Sequence, residues 1–485
     1  FSISPSVEPF DEARYKALMD GLECSEILFS QIDLGDRFDS DYYTKNYLHI
    51  SDQMSKVPTE KLAKLATTVA SAFYPAATQL YSEGDTAFAR CVDCVSYPVI
   101  TKDQDSKFEK IPYAFGKENK GISFIKAEDI IITKVGTPCY ASILTDYSEI
   151  ALSRTVMGLT GIHSVDPYYL MVFLRCKYGF DQLFRQRELT IQYQLTLPRV
   201  KAVDVYLAND MLQIKVMKLC KKSKEFQQKS NEAYQMAEQI LRNIVDYPDD
   251  TALGTYSIKK INESFAISGR LDAEYYQPKY EAIVKKLNTR ETVLSLCNLH
   301  DKNYNPDAKQ TYQYIELADV GQSGDISDVD IQYGSDLPMR ARRIVKSGQV
   351  IVPSVEGSLQ SCALITDEYD GALCSTGFYV LDSDCINSET LLVLFKSEPI
   401  QALMKQRCSG TILTAISKDE LLSMPLPMID GDIQKEIAVK VQEAFTLRKQ
   451  SKQLLEYAKQ AVEMAIEQGE DVALAWLKDK IPVEV

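Results

Sequence analysis

Histidine and tryptophan are nearly missing from this chain, with three and one among 485 residues. His49, His163 and His300 stand far apart, which leaves little material for histidine metal sites or for a nucleophile–histidine triad. No window reaches eighteen uninterrupted apolar residues, which argues against a membrane-spanning helix. The opening FSISPSVEPF has neither a basic stretch nor an apolar core, so no secretory leader is expected from it. No GxxxxGK[ST], HExxH or GxSxG pattern occurs, so phosphate-cradling, zinc-protease and hydrolase chemistries have no signature here. Positive charge is also short: 54 Lys and Arg against 68 Asp and Glu give a net charge of −14. That balance speaks against nucleic acid, although a basic face on an acidic body escapes a net count.

What is present is ordinary for a globular protein of several domains. Apolar residues make up 45% and charged residues 25%, enough for more than one core. The eleven cysteines are dispersed and odd in number, which reads as reduced thiols in a cytosol. Cys91 and Cys94 form a lone CxxC with no second pair, and are read as two strand thiols. Asp166-Pro167-Tyr168-Tyr169 resembles the [NDS]PP[YF] motif of amino-methyltransferases but lacks its second proline. No glycine-rich cofactor loop precedes it, so a turn opening a helix is the simpler reading. No cofactor and no catalytic constellation is expected, and the chain is read as performing no chemistry of its own.

The strongest feature is a phrase that occurs twice. Residues 37–47 read RFDSDYYTKNY and residues 270–280 read RLDAEYYQPKY, so Arg37, Asp39, Tyr42, Tyr43 and Tyr47 recur 233 residues later. A repeat near half the chain length points to one architecture made twice. The order of elements repeats as well. IKAEDIIITKVG (125–136) matches VKSGQVIVPSVEG (345–357), and both copies run on to a Pro-marked stretch, LTLPRV at 195–200 and MPLPMI at 424–429, read as strands. Short β-rich runs such as CVDCVSYPVI, DIIITKVG and YASILT mix with helical stretches without regular βαβ alternation, an α+β pattern. The repeated Arg–Asp–Tyr–Tyr set is read as structural, tying each domain to the junction with the helix that follows.

Each copy precedes a long heptad seam: Leu212, Val216, Leu219, Ser223, Phe226, Ser230, Ala233, Ala237, Ile240 and Ile244 in one, and Ile437, Val441, Ala444, Arg448, Ser451, Leu455, Ala458, Val462 and Ala465 in the other. Matched seams predict an antiparallel coiled-coil pair. A helix of about 35 residues spans roughly 50 Å, about one and a half turns of B-DNA. The resulting division is an N-terminal segment (1–33), a first domain (34–203), a first long helix (204–246), a connector (247–269), a second domain (270–430), a second long helix (431–469) and a tail (470–485).

The doubled RxDxxYY phrase, the matched strands, the LPLP endings and the two long helices together resemble the specificity (S) subunit of Type I restriction–modification enzymes. The most specific stretch is SGTILTAISKDELLSMPLPMIDGDIQKEI (409–437); the first copy reads RELTIQYQLTLPRV at that place. The resemblance implies two target-recognition domains on an antiparallel two-helix coiled coil, each reading one half of a bipartite site in double-stranded DNA. It implies docking of two adenine methyltransferase subunits on the helices and a motor–nuclease subunit for cleavage, with no membrane partner. The DNA-facing candidates in the first copy are Lys134, Thr137, Tyr140, Arg154, Arg185 and Arg187. In the second copy they are Arg340, Arg342, Arg343, Ser358, Gln360, Lys405, Arg407 and Thr411. Arginine grips guanine or phosphate, and glutamine pairs with adenine. Arg185 and Arg187 stand at the place matching Lys405 and Arg407.

Overall fold

The computed structural model describes residues 10–32, 37–73, 84–95, 97–188, 193–245, 257–321, 323–326, 329–410 and 414–481. The chain divides into two units, 1–225 with 450–485 and 226–449. Each unit thus combines one globular copy with parts of both long helices, Asp210–Arg242 and Gly431–Gln468.

The two copies share one strand plan. In the first unit a mixed sheet runs in the order Glu109–Ile111, Thr86–Ala89, Ile150–Leu152, Phe124–Ile125, with the inner pair parallel. The second unit has Asp330–Tyr333, Thr311–Ile315, Leu373–Ser375, Ala341–Ile344 in the same order, again with a parallel inner pair. A second sheet aligns Val156–Thr160, Ile130–Thr133 and Ala141–Leu144 in one unit. Its counterpart aligns Phe378–Asp382, Val350–Pro353 and Ala363–Leu364. The central strands IIIT and VIVP are wholly buried, which is why they read as continuous apolar runs rather than alternating ones. The α+β class and the doubled architecture are as expected.

The helices Pro167–Arg175 and Lys177–Arg185 break at Cys176, and Gly179 in the second lets its backbone close on the end of the first. A Cβ on Gly179 would lie 2.0 Å from the carbonyl oxygen of Phe173 and 2.7 Å from Leu174 Cα. Both obstacles are backbone and cannot rotate away. Gly179→Ala is therefore expected to cost about 3 kcal/mol, the upper end of the usual range for overpacking that forces a backbone shift. Urea unfolding followed by circular dichroism checks it, and a midpoint equal to wild type would contradict it.

Within each unit the long helices run antiparallel and meet through serines. In the first unit Ser451 donates to the Ser223 carbonyl at 2.8 Å. In the second, Ser230 donates to the Ala444 carbonyl at 2.7 Å. Ser223 and Ala444, like Ser230 and Ser451, stand 221 residues apart. Small side chains there allow close approach, and the hydroxyls find acceptors without leaving the seam. The seam differs from expectation at two places. Leu454 is buried and Leu455 only half-buried, because the step from Ser451 is three residues; Ile244 is 43% exposed. Arg448 holds a seam position by reaching sideways to the carboxylate of Asp325, Ser323 Oγ at 3.0 Å and Asn231 Oδ1 at 3.2 Å.

Where domain meets helix, one glutamine in each copy makes the joint. Gln213 accepts from Asp166 N–H at 2.8 Å and donates to the Ala208 carbonyl at 2.7 Å. Gln434 accepts from Asn387 N–H at 2.8 Å and donates to the Ile429 carbonyl at 2.9 Å. Both sit beside the cap of the buried helix, Pro167–Arg175 in one copy and Ser388–Lys396 in the other. At the far end, Gly469 (φ 97°) breaks the second long helix. The helix Glu470–Lys480 follows, and its Glu470 accepts from Tyr206 Oη at 2.7 Å and Asn209 N–H at 2.8 Å.

Three local expectations change. Leu197–Lys201 is a short helix rather than a strand, since Pro198 in its first turn is pre-set for helical φ. Residues 424–429 contribute only an isolated bridge, Thr292 to Pro425. The CxxC lies on a short helix, Cys91–Val95, which Asp93 stabilises by accepting from the Arg90 N–H at 2.9 Å.

Candidate nucleic-acid interface

The repeated phrase builds the same clamp twice. Arg37 forks onto Asp39, Nε to Oδ2 at 2.7 Å and Nη2 to Oδ1 at 2.9 Å. Its Nη1 donates to the carbonyls of Arg185 and Arg187 at 3.3 and 3.1 Å. Arg270 forks onto Asp272 at 2.9 and 2.7 Å, and its Nη1 donates to the carbonyls of Gln406 and Cys408 at 3.4 and 3.1 Å. Those carbonyls belong to the ends of helices Lys177–Arg185 and Glu398–Arg407, where orphan acceptors and the negative dipole end favour a cation. Tyr43 and Tyr276 donate back to the carbonyls of Arg37 and Arg270 at 3.1 and 2.9 Å, and the guanidiniums lie 4.5 Å over Tyr42 and Tyr275. The hydrogen bonds from the arginines hold the Asp39 and Asp272 carboxyls below the ordinary range. The set is structural, but it fastens the end of a short helix, whereas the joint with the long helix belongs to Gln213 and Gln434.

These contacts fix the alignment of the copies. Gln406 and Cys408 follow Arg185 and Arg187 by 221 residues, as Gln434 follows Gln213. Gln406 Nε2 donates to the Tyr275 carbonyl at 2.8 Å, as Arg185 Nε does to the Tyr42 carbonyl at 2.6 Å. Lys405 and Arg407 therefore flank the places of Arg185 and Arg187 by one residue instead of coinciding with them.

In the first unit, Lys134, Thr137 and Tyr140 lie on the turn between strands Ile130–Thr133 and Ala141–Leu144. Thr137 is exposed, and Tyr140 packs edge-on against Phe180 at 5.3 Å. Lys134 N–H donates to the Thr155 carbonyl at 2.8 Å, bringing the exposed Arg154 beside this turn. A bridge from Val135 to Gln194, itself paired with Glu188, joins it to Arg187. Arg187 stacks on Phe184 and on Tyr193 at 4.2 Å. Arg185 lies 3.9 Å over Tyr42 and donates to Ser51 Oγ at 2.8 Å; burial lowers its pKa.

In the second unit, Ser358 and Gln360 occupy the turn between Val350–Pro353 and Ala363–Leu364, the same place in the plan. The bridge Val355 to Ala415 there repeats Val135 to Gln194. Arg340 is exposed; Arg342 donates to Asn305 Oδ1 at 2.5 Å and to the Met339 carbonyl at 2.9 Å. Arg343 Nη1 is buried with no hydrogen-bond partner. Lys405 is exposed on the wall of a cavity of about 700 Å³ shared with Arg270 and Gly410. Arg407 donates to Gln406 Oε1 at 3.1 Å, and burial lowers its pKa. Thr411 lies outside the described residues.

Asp166 caps its helix, accepting from the N–H groups of Tyr168 and Tyr169 at 2.9 and 3.1 Å, while Tyr169 donates to the Tyr206 carbonyl at 2.8 Å. Among the described residues no cluster of three or more His, Cys, Asp or Glu side chains is arranged to hold a metal. Cys91 and Cys94 are buried, and desolvation raises both thiols, Cys94 most strongly. Only Cys24 and Cys385 are exposed. Ellman's reagent is expected to titrate two thiols rapidly in the native protein and eleven after denaturation. Rapid reaction of four or more would contradict this burial.

No protein-family model and no curated protein matches the chain. Among solved structures it is similar to a Type-I restriction-modification system S subunit from M. genitalium, at 12% identity and TM-score 0.35, over 86% of this chain and 94% of that one. The HsdS subunit from Thermoanaerobacter tengcongensis matches at 13% identity and TM-score 0.26, over 85% and 97%. A chain from a type I R-M system studied for complex assembly and conformational transition matches at 14% identity and TM-score 0.28, over 85% and 99%.

Proposed function

We propose that this chain is the non-catalytic DNA-specificity subunit of a Type I restriction–modification system. Residues 34–203 and 270–430 each read one half of a bipartite site in double-stranded DNA, and the long helices set the spacing. Those helices dock two adenine methyltransferase subunits, and a motor–nuclease subunit joins for cleavage. One observation carries the reading: the turns at 134–140 and 354–362 hang from equivalent strands and equivalent bridges, yet their residues differ. A common frame with diverged tips is what two half-sites of different sequence require. Lys134, Thr137, Tyr140, Arg154, Ser358, Gln360 and the Arg340–Arg343 cluster are the proposed readers. Arg185, Arg187, Lys405 and Arg407 flank them as phosphate contacts, with Thr411 beside them in sequence.

Methylated-adenine mapping in cells that express a methyltransferase pair, with and without this chain, tests the proposal. The expected result is one bipartite motif that appears only with the chain and loses one half when the 354–362 turn is exchanged. No chain-dependent methylation would sink it. The net charge of −14 favours a second reading, a protein-binding scaffold. Low-salt gel shifts of the chain with its partner and random duplex separate the two.

A further inference from the structure

The two copies differ at the start of the very helix whose end the clamp holds. In the first unit Glu463, on the second long helix, sets Oε1 2.7 Å from the N–H of Lys177, the first residue of Lys177–Arg185. That carboxylate satisfies a donor orphaned by helix geometry and meets the positive end of the dipole. Glu467, one turn on, accepts from Tyr178 Oη at 2.7 Å.

The matching helix of the second unit, Glu398–Arg407, has no such cap from the matching position. The residue 221 places before Glu463 is Arg242, a cation where the other copy has an anion. Ser397, at the cap position, makes no cap bond and donates its hydroxyl to the Leu394 carbonyl at 2.6 Å. Instead the helix start opens into a cavity of about 490 Å³, within the range of small-molecule sites.

Lys396 stands at the wall of this cavity and is only 8% exposed. Its Nζ donates to the Gln360 carbonyl at 2.5 Å, while an ammonium carries three donors. Burial lowers its pKa, opposed by the carboxylates of Asp325 and Glu238, which attract it without a hydrogen bond. Acidic groups also line the space: Glu356, Glu398 and Glu238, the last pushed by burial toward its neutral acid, a hydrogen-bond donor. A buried ammonium, an arginine and an open helix start line one cavity, at the end of the helix where the sister copy seats a carboxylate.

We propose that this cavity binds a small free oxoanion, a phosphate or carboxylate head group, in the place that the Glu463 carboxylate takes in the first copy. A helix start backed by a cation is suited to such a group, and the apolar wall of Leu241, Val393 and Ala402 leaves room for a body behind it.

Calorimetric titration of the full chain with inorganic phosphate, in chloride buffer of matched ionic strength, tests this. Saturable binding is expected, weakened at least tenfold in Lys396→Met and in Arg242→Glu, the second of which restores an internal carboxylate. Arg242 is exposed, so its variant carries the test even where Lys396→Met does not fold. Equal phosphate affinity in wild type and Arg242→Glu, or no saturable binding of phosphate, overturns the proposal. Displacement of bound phosphate by a duplex oligonucleotide also overturns it, since the anion would then be a DNA backbone phosphate.

Discussion

Arg448→Ala is expected to destabilise the second unit by about 3–5 kcal/mol, the range seen when one partner of a buried ion pair is removed. Arg448 is 8% exposed, and the Asp325 side chain 15%. The guanidinium joins three elements: the first long helix through Asn231, its own helix, and the domain turn that carries Ser323 and Asp325. Its loss strips the Asp325 carboxylate of a buried cation and frees that turn from the seam. Arg448→Met with Asp325→Leu removes both charges and is expected to recover most of the loss, since apolar replacements of a buried pair are often neutral or better. A double-mutant cycle in urea measures the coupling. Additive single effects would show that the pair does not act as one unit.

The second large effect is at the first clamp. Arg37→Ala is expected to cost about 3–4 kcal/mol, from charge-assisted bonds to two helix-end carbonyls and a bidentate carboxylate. Arg37→Lys restores charge but not the fork, so it rescues less than half. Arg270→Ala costs less, because the side chains of Arg270 and Asp272 are 18% and 44% exposed, against 8% and 33% at the first clamp. Amide exchange at the end of Lys177–Arg185 reads the change locally. The pH dependence has a fixed sign. Asp39 and Asp272 have lowered pKa values in the fold, so their contribution is present above about pH 4, the unfolded value, and is lost as pH falls through the lower folded values. Wild type should therefore lose stability over that window more steeply than Arg37→Ala. Parallel acid curves would refute the assignment.

How far the chain could be read in advance depended on where its information lies. The clamp was visible because its chemistry needs named residues at fixed spacing: a guanidinium, a carboxylate two places on, and two adjacent tyrosines. What the clamp grips was not visible, because its targets are backbone carbonyls, and any residue supplies a carbonyl. For the same reason Arg185 and Arg187 matched Lys405 and Arg407 by composition, while the hydrogen bonds align them with Gln406 and Cys408. The joint at Gln213 and Gln434 was hidden too, since a lone glutamine near a helix start gives no local signal. Leu454 and Leu455 are adjacent leucines, so only the packing could choose between them. Buried strands were legible from their apolar runs, but the helical turn at Cys91–Val95 was not, because five residues carry no period.

The scarcity of tryptophan has a practical use. Trp476 is the single tryptophan and packs edge-on against Tyr457 at 5.6 Å on the terminal helix. The two exposed thiols fall one in each unit, Cys24 in the first and Cys385 in the second. The unaltered protein therefore carries an intrinsic fluorescence donor and two selective attachment points for acceptor dyes. Energy transfer from Trp476 to a dye on Cys385 can follow the separation of the units in solution, with duplex, phosphate or a methyltransferase added, while a dye on Cys24 serves as a reference within the first unit.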